Sequence, residues 1–437
     1  MARNSIGMAL SLMNKIAGSE VVNKLKLKKP AEKIAYYSTR TGFQLLSTAN
    51  ESLSQVKNLL GTPLGWDGQD ASKALFDPRP SEEQGIIAEA IRRFVQDALI
   101  PNREACEIAG GMVPAVQEAF SELELQTYAL PPSLDGGQEH PSASTSVIIA
   151  EGMAYGDLGA TASLLSNYSA IQFIRRWATP AQQAFYLKRL QSDPGYKMAL
   201  AINEPGVLFN PHALSTKASN VKNGIMLNGI KSLVAGGVEA DILLVAAQLP
   251  DHAIGVFAVE TNTPGITLLP KSGMGLKSAG LTEVLLEDVL VDDSVLLRGE
   301  QFSWQQATSL SAIMWCAAAI GVSQAVLDYV IPYCNQRTAF GEPISHRQSV
   351  AFMIANMATD IEAMRLVTHR AAALADQGGS YVREVYLAKQ LCDKKVVGIA
   401  SDGVQLLGGH GFTKEHPVER WYRDLCAVPV ILNNLHA

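Results

Sequence analysis

The sequence predicts an α+β protein in which a helical N-terminal domain and a C-terminal four-helix bundle flank a central antiparallel β domain. Apolar residues recur at helical spacing before about residue 196 and again after residue 299. Between these points, short strand-like runs alternate with turn signals such as Asn223-Gly224 and Thr263-Pro264-Gly265. We therefore divide the chain into an N-terminal extension and linker (1–76), a helical domain (77–196), a β domain (197–299) and a helical bundle (300–437).

The N-terminal helical domain is predicted to begin at Ser81, which forms a capping box with Gln84 ahead of an apolar face. Four further segments repeat apolar residues at three and four positions. They are Val113 to Leu123, Ser142 to Tyr155, Ala160 to Trp177 and Pro180 to Leu190.

The β domain is predicted from a change in period, because its apolar runs are short and are bounded by turn residues. The predicted strands are Met198 to Ile202, Leu227 to Val234, Ile242 to Gln248, Gly255 to Glu260, Ile266 to Leu269 and Glu283 to Val289.

The C-terminal region returns to a helical period in long segments, which is typical of a four-helix bundle. Its strongest apolar run, Ala312 to Val322, is shorter than the ~18 residues that would indicate a membrane span. The predicted helices are Ser303 to Gln336, Arg347 to Gln377, Tyr381 to Leu407 and Pro417 to Val428.

Composition indicates a well-buried globular protein. Of the 437 residues, 47% are hydrophobic and 18% are charged, against a usual charged share of about 25%. The net charge of −6 argues against a nucleic-acid partner. The five cysteines form no C-x-x-C pair and the eight histidines show no metal-ligand spacing. We therefore expect a reducing, cytoplasmic environment and no metal site.

The first 60 residues differ from the rest in charge, because nine Lys and Arg face three acids. Ile6, Leu10, Met13, Ala17 and Val21 recur at helical spacing ahead of four lysines. A basic amphipathic helix of this kind binds anionic membrane surfaces. A helix that packs on its own protein, or a loosely ordered tail, gives the same pattern. Peripheral membrane contact through this segment is therefore one of three alternatives.

Three motifs carry the candidate chemistry: Glu204-Pro205-Gly206 after a strand, Arg337-Thr338-Ala339-Phe340-Gly341 after a long helix, and the Gly-rich residues 405–412. Taken singly, they are typical of a turn, a helix C-terminus and an interhelical loop. Their occurrence together, in this order across a helix–sheet–helix chain, is far more specific.

With these motifs, the sequence resembles the acyl-CoA dehydrogenase family over roughly residues 80 to 432, most closely in the bundle. The resemblance implies a helical domain, a β-barrel-like domain and a four-helix bundle. It also implies FAD, an acyl-CoA substrate, fatty-acid metabolism and a dimer or homotetramer; it does not name the electron acceptor. The motifs that carry it are Arg337-x-x-Phe340-Gly341-x-Pro343-Ile344, Asp402-Gly403-Val404-Gln405-x-x-Gly408-Gly409-x-Gly411-Phe412 and Pro417-Val418-Glu419-Arg420-x-x-Arg423-Asp424.

Cofactor-binding residues follow from the resemblance. Arg337 would bind the pyrophosphate and Phe340 would supply an apolar wall for a ring. In the family the neighbouring subunit completes the adenine half of FAD, so binding would require the dimer. The full set that the resemblance implies is Asn203, Arg337, Phe340, Ile344, Gln405, Gly408 and Gly409.

The sequence departs from the family at the catalytic base and in the flavin pocket. Removing the weakly acidic proton beside the thioester requires a carboxylate. The two positions at which family members carry this glutamate hold Leu432 and Ser311, so no catalytic residue is assigned. The family's Thr-Glu-Pro-x-x-x-Ser begins here at Asn203 and ends at Phe209, and its Trp-x-Thr begins at Leu233.

Other ionisable groups lie in or beside the motifs. The pairs Glu419–Arg420 and Arg423–Asp424 are interpreted as ion pairs on a helix surface, and His410 as lining the cofactor channel. The remaining alternatives for a base are Glu204, Glu415 and His436.

The leading interpretation is a FAD-dependent acyl-CoA dehydrogenase-like oxidoreductase that carries out α,β-dehydrogenation of a fatty-acyl-CoA thioester. A second interpretation is a non-catalytic FAD- or acyl-CoA-binding subunit that lacks the base. A third, the same fold adapted to nucleic-acid protection, is disfavoured by the acidic charge balance.

Overall fold

The structure is a computed structural model that describes residues 79–193, 195–206 and 209–436. The N-terminal extension and linker predicted for residues 1–76, with its basic amphipathic helix, lies outside the described residues. The described chain passes from helices through one sheet to a second group of helices. This order confirms the predicted fold class.

The N-terminal helices begin with the predicted capping box. The backbone N–H of Gln84 donates to Ser81 Oγ over 3.2 Å, and that of Ser81 donates to Gln84 Oε1 over 2.9 Å. A π-helical turn, Val95–Leu99, joins the first two helices. The helices are α1 (Glu82–Phe94), α2 (Ile100–Ala109), α3 (Pro114–Ser121), α4 (Leu125–Tyr128), α5 (Ala143–Ala154), α6 (Leu158–Trp177) and α7 (Pro180–Ser192).

The central sheet has seven strands in the order β1-β4-β2-β3-β7-β6, with β5 paired to β4. Register shifts between β3 and β7 mark bulges, which bend a sheet and increase its twist. The strands are β1 (Met198–Ala201), β2 (Lys217–Val221), β3 (Gly224–Val234), β4 (Ile242–Gln248), β5 (Ile254–Glu260), β6 (Ile266–Pro270) and β7 (Thr282–Val291).

Two features of the sheet differ from the prediction. Strand β1 pairs with β4 in parallel, so a wholly antiparallel domain was wrong there. Residues 202–241, which include β2 and β3, separate the two strands and are long enough for the chain to return in the same direction. Strand β2 was missed because four of its five residues are exposed, which removes the apolar signal.

The predicted four-helix bundle is confirmed, and its last helix is longer than predicted. That helix continues through Pro429, because Leu425, Val428 and Ile431 bury its inner face and compensate for the lost backbone hydrogen bond. The helices are α8 (Trp304–Gln336), α9 (Gln348–Asp376), α10 (Val382–Leu407) and α11 (Val418–His436). A short hairpin, β8 (Thr338–Ala339) and β9 (Glu342–Pro343), follows α8.

Helix α8 is the central helix of the bundle. Within the described ranges it is the one helix long and apolar enough to cross a membrane, but 72% of its apolar window is buried inside the protein. It contacts α5 as well as the other three bundle helices. A Cβ atom on Gly321 would lie 2.1 Å from the Glu151 carbonyl oxygen. This glycine therefore permits the close approach of α5 to α8.

Candidate functional site

A cavity of about 200 Å³ lies where the sheet meets the helices. Its helical wall comes from α5, α6 and α8, with Ile431 of α11. Most of the lining side chains are apolar, as expected for a site that takes an organic ligand. The wall formed by the sheet consists of Leu200, Ile202, Asn203, Ser232, Leu233 and Ala235.

The sheet wall is fixed by contacts between the ends of β1 and β3. The backbone N–H of Ser232 donates to the Asn203 carbonyl oxygen over 2.8 Å, and Lys231 Nζ donates to the Ile202 carbonyl oxygen over 3.1 Å. Leu233 has a φ of +54° where β3 shifts register. A bulky residue rarely adopts this conformation, and such strain is concentrated at functional sites.

Asn203 carries an unused hydrogen-bonding atom into this wall. The residue is only 6% exposed, and its Oδ1 has no hydrogen-bond partner among the described residues. A buried acceptor without a partner is costly. The isoalloxazine ring implied by the family resemblance carries N–H and oxygen groups along its edge, so Asn203 fits this cofactor.

Glu204 is held in a structural role. Its carboxylate accepts the backbone N–H groups of Ser215 and Thr216 over 2.6 and 2.8 Å and the Nζ of Lys231 over 2.9 Å. Burial alone would raise the pKa of Glu204, but the Lys231 cation and the hydrogen bonds from Thr216 hold it below its usual value. The carboxylate therefore stays ionised beneath the wall and is not available as a base.

Helix α6 supplies more of the lining residues than any other element. Asn167, on its buried side, holds β1 in place: its Nδ2 donates to the Tyr196 carbonyl oxygen, and its Oδ1 accepts from the Met198 N–H. Tyr168, Gln172 and Arg176 line the cavity four residues apart, on one face of the helix. This polar stripe was not predicted, although polar residues at a spacing of four in an otherwise buried helix were a signal for it.

One vacant base position lines the cavity, and the other directly follows a lining residue in the sequence. Ser311 lines it from α8, and Ile431 lines it from α11, where the backbone of Leu432 follows in the same helix. The lining residues within the described part of the chain include no Asp, Glu or His. The wall of the cavity therefore holds one expected base position, with the other next in sequence to a lining residue, and no carboxylate.

Carboxylates next to the lining residues are engaged elsewhere. Glu151, beside Ala150, pairs with Arg365 over 2.7 Å and with His369 over 3.1 Å. Asp157, beside Leu158, accepts from Ser278 Oγ and from a backbone N–H of α6. These groups hold the helices in place.

The charged residues of the C-terminal motif around Arg423 are half-buried, and Asp424 is buried, so their interpretation as ion pairs on a helix surface was wrong. Arg423 Nη2 lies 2.9 Å from Glu107, which also pairs with Arg420. Asp424 is 3% exposed and accepts the backbone N–H of Leu276 over 2.6 Å. These contacts tie α11 to α2 and to the segment before β7, because charged groups with little access to water are stabilised by pairing.

The residues predicted to hold the pyrophosphate follow α8. Arg337 ends that helix and is exposed, and its carbonyl oxygen accepts the N–H of Ile344 over 2.9 Å. Phe340 and Gly341, with φ of +56° and +84°, form the two-residue turn of the β8–β9 hairpin, as in a type I′ turn. The turn leaves the Phe340 ring 95% exposed.

The Gly-rich motif follows α10 at the same end of the bundle. Gln405, Gly408 and Gly409 are exposed. Tyr333 OH lies 3.0 Å from Nδ1 of His410 and so links the C-terminus of α8 to this loop. His410 stacks on the ring of His416 with centroids 5.4 Å apart, and its place beside a bound cofactor stays a prediction.

Asn203 is therefore separated from the other six predicted cofactor residues within one chain. Helix α8 lines the cavity as far as Ala318 and reaches Arg337 about 28 Å further along its axis, at 1.5 Å per residue. Arg337, which is expected at the pyrophosphate, and the cavity wall with Asn203, which is expected at the flavin edge, therefore lie towards opposite ends of α8.

Comparisons with known proteins agree with this architecture. Models of the N-terminal, middle and C-terminal domains of acyl-CoA dehydrogenases match residues 81–193, 199–289 and 303–430. The cyclohex-1-ene-1-carbonyl-CoA dehydrogenase of Geobacter metallireducens is 29% identical over 355 residues, which cover 79% of this chain and 92% of that protein.

Solved structures share the fold. Butyryl-CoA dehydrogenase from Megasphaera elsdenii matches with a TM-score of 0.74 at 24% identity, over 82% of this chain and 96% of that one. PigA with FAD and proline matches with a TM-score of 0.74 at 22% identity, over 82% and 97%. Because the three domain models match the helical, β and bundle regions in order, the chain belongs to the acyl-CoA dehydrogenase family of FAD-dependent oxidoreductases.

Proposed function

We propose that this chain binds FAD and a fatty-acyl-CoA thioester and carries out α,β-dehydrogenation of the acyl group in the cavity between the sheet and the bundle. The observation that carries the proposal is the apolar cavity with the unpartnered Oδ1 of Asn203 in its sheet wall. FAD, when bound, supplies the acceptor for a hydride. The apolar side chains of the chain exclude water and hold an alkyl chain by burial.

Proton removal is the step for which this site lacks a suitable group. A well-placed general base contributes about 10² to 10⁴ in rate, and the described lining offers no carboxylate. The hydroxyl of Tyr168 is no substitute, because burial raises its pKa above the ordinary value. We therefore expect slow dehydrogenation by the protein with its native sequence.

An anaerobic titration of the purified full chain tests the proposal. We expect the absorption spectrum of bound FAD, a shift of that spectrum when saturated acyl-CoA is added, and slow bleaching afterwards. A protein that binds neither FAD nor acyl-CoA would contradict it.

A second candidate function is supported by the same missing carboxylate. A subunit that binds FAD and acyl-CoA without turning them over needs the cavity but not the base. In that case the spectrum shifts on addition of acyl-CoA and the flavin then stays oxidised under anaerobic conditions. Fast bleaching would exclude this candidate.

We also propose that the active form is a homodimer or homotetramer in which a neighbouring subunit completes each FAD site. The separation of Asn203 from Arg337 supports this, as do the 95% exposure of Phe340 and the 82% exposure of Phe412, since large exposed apolar rings indicate contact surfaces. Light scattering with and without FAD tests it; a stable monomer that retains FAD would contradict it.

Membrane contact is a separate proposal that rests on sequence alone. The +6 charge of the first 60 residues favours binding to anionic lipid at low salt. Vesicle sedimentation should retain the full chain but not a chain that begins at Ser81. Equal sedimentation of the two chains would contradict lipid binding by the basic segment and would favour its packing on the rest of the protein.

A further inference from the structure

The cavity contains one charged side chain among its described lining residues, Arg176, near the C-terminus of α6. Ser166, which contacts β1 through the Met198 carbonyl oxygen, lies ten residues earlier, about 15 Å along the helix axis. Around Arg176, the rings of Phe173 and Trp177 pack against Phe302. The cation of Arg176 therefore lies in an apolar environment. It is far along α6 from Ser166, the residue that contacts β1.

The guanidinium of Arg176 is underused as a donor. It carries five N–H groups, and the described structure gives it one hydrogen bond, from Nη2 to the Pro141 carbonyl oxygen over 2.8 Å. Arg175, the preceding residue, differs in this respect. Its Nη1 and Nη2 donate to the carbonyl oxygens of Ala129 and Glu139, each over 2.8 Å. Arg176 therefore has more unused donors than Arg175, and of the two only Arg176 lines the cavity.

No carboxylate in the described structure neutralises Arg176 within ion-pair distance. The acidic group that acts on it electrostatically is Asp376, whose oxygens already accept from Ser142 Oγ and from the backbone N–H groups of Ala143 and Ser144 over 2.6 to 2.9 Å. Two tyrosines, Tyr168 and Tyr381, are the other titratable groups that face it. A partly buried cation without a paired anion is unfavourable unless a ligand supplies one.

The same face of α6 carries further polar groups. The Tyr168 hydroxyl lies 3.1 Å from Ser146 Oγ, and both residues line the cavity. Gln172 is 9% exposed, and its Oε1 has no hydrogen-bond partner in the described residues. A hydrocarbon tail would leave these groups and Arg176 facing apolar surface, whereas a polar end group would satisfy them.

We propose that Arg176 binds a carboxylate at the end of the acyl group remote from the thioester, so that the preferred substrates are dicarboxylic acyl thioesters. This inference rests on the proposed function, because it identifies the class of acyl group that enters the same cavity. Arginine suits the task because its planar fork binds a carboxylate through two parallel hydrogen bonds. The apolar side chains that line the rest of the cavity then bind the methylene chain between the thioester and the carboxylate.

The test compares pairs of thioesters of equal chain length: hexanoyl-CoA with adipoyl-CoA, and octanoyl-CoA with suberoyl-CoA. Dissociation constants are measured by calorimetry on the full chain with its FAD, so that turnover is not needed. We expect the dicarboxylic member of a pair to bind about tenfold or more tightly, since charge-assisted hydrogen bonds are roughly twice as strong as neutral ones.

Two variants assign this preference to Arg176. Arg176→Gln should abolish the preference and leave the affinity for the monocarboxylic thioester within about twofold, because one charged partner is removed and the rest of the cavity is kept. Arg175→Gln is the matched control and should leave the preference intact. Arg176→Lys keeps the charge and loses the fork, so it should show an intermediate preference and serves if the glutamine variant folds poorly.

The outcomes separate this inference from the proposed function. If both members of a pair bind equally, or if the preference survives in Arg176→Gln, Arg176 does not select a carboxylate, while the proposed function stands. If no thioester binds, the proposed function fails, and this inference fails with it.

Discussion

Lys231 and Glu204 form an ion pair beneath the wall of the cavity, with 2.9 Å between Nζ and Oε1 and side chains 0% and 4% exposed. Burial lowers the pKa of Lys231 to about 8, although Glu204 acts to raise it. Lys231 also holds the carbonyl oxygen of Ile202, directly before Asn203. The pair therefore sets the position of the residue that we expect to meet the flavin edge.

Breaking this pair should lower the stability of the folded protein. Glu204→Gln leaves a buried lysine without its counterion, which typically costs about 3 to 5 kcal/mol. The free energy of unfolding, measured by urea denaturation, should fall by about this amount. The double variant Lys231→Met with Glu204→Gln removes both charges and should recover most of the loss. If Glu204 were instead the catalytic base, its single variant would lose activity and keep its stability.

Loss of Arg337 should release flavin. Arg337→Ala removes the permanent cation that the family resemblance assigns to the pyrophosphate, and the residue is exposed at the end of α8, so little stability should be lost. The ratio of FAD absorbance to protein absorbance after gel filtration measures the effect. Arg298→Ala, which removes an exposed arginine paired with Asp293, is the control. Unchanged flavin content in Arg337→Ala would contradict the assignment.

Restoring a carboxylate should accelerate proton removal. Leu432→Glu combined with Asn433→Gly places a carboxylate in α11 next to the lining residue Ile431, and the glycine gives the backbone freedom to position it. Anaerobic flavin reduction by a saturated acyl-CoA should rise about 100-fold, within the usual range for a general base.

Leu432→Gln with Asn433→Gly is the matched control, because its side chain has the same size but cannot accept the proton. Fast reduction by the protein with its native sequence would show that another group is the base, and His436→Ala would then be tested. A glutamate variant that binds acyl-CoA and still fails to reduce flavin would favour the non-catalytic subunit.

The buried carboxyl group of Asp424 should make stability depend on pH. Burial, with a smaller effect of the nearby Asp157 carboxylate, raises the pKa of Asp424 to about 7, against about 3.9 in an unfolded chain. Between these values the folded state keeps a proton that the unfolded state has lost, so stability falls as pH rises through this window.

Asp424→Asn tests this dependence. The amide cannot ionise, and its oxygen can still accept the N–H of Leu276. The variant should therefore gain stability over the natural protein as pH rises, with a larger difference at about pH 8 than at about pH 5. Urea unfolding at both values measures it. A difference that does not change with pH would show that Asp424 is ionised throughout the range.

The order of helices and strands followed from the sequence because it depends on local patterns. The capping box at Ser81 and Gln84, for example, is specified by residues three positions apart. The bounds of α8, α9 and α10 were predicted to within about one residue, since long periodic segments are the most reliable signal. Strand β2 was not found, because its exposed residues carry no apolar pattern.

The residues of the motifs around Arg337 and Gly408 were also identified from sequence, because each motif is a short contiguous segment. Their distance from Asn203 could not be predicted from the sequence. It depends on how far α8 extends between the cavity and the exposed end of the bundle, which is a property of the packed helix. Likewise, Arg420, Arg423 and Asp424 looked like surface charges because the sequence does not show that Glu107 and Leu276 lie against them.

By itself, the sequence determined the family, the three-part fold, the expected cofactor and the absence of a glutamate at Leu432 and Ser311. Only the tertiary structure decided that Ser311 and Ile431, the neighbour of Leu432, line one cavity. It also decided that Glu204 is neutralised by Lys231 and that Arg176 faces the cavity while Arg175 does not. The physical reason is that local periodicity specifies helices and strands, whereas burial and charge pairing arise between segments distant in the chain.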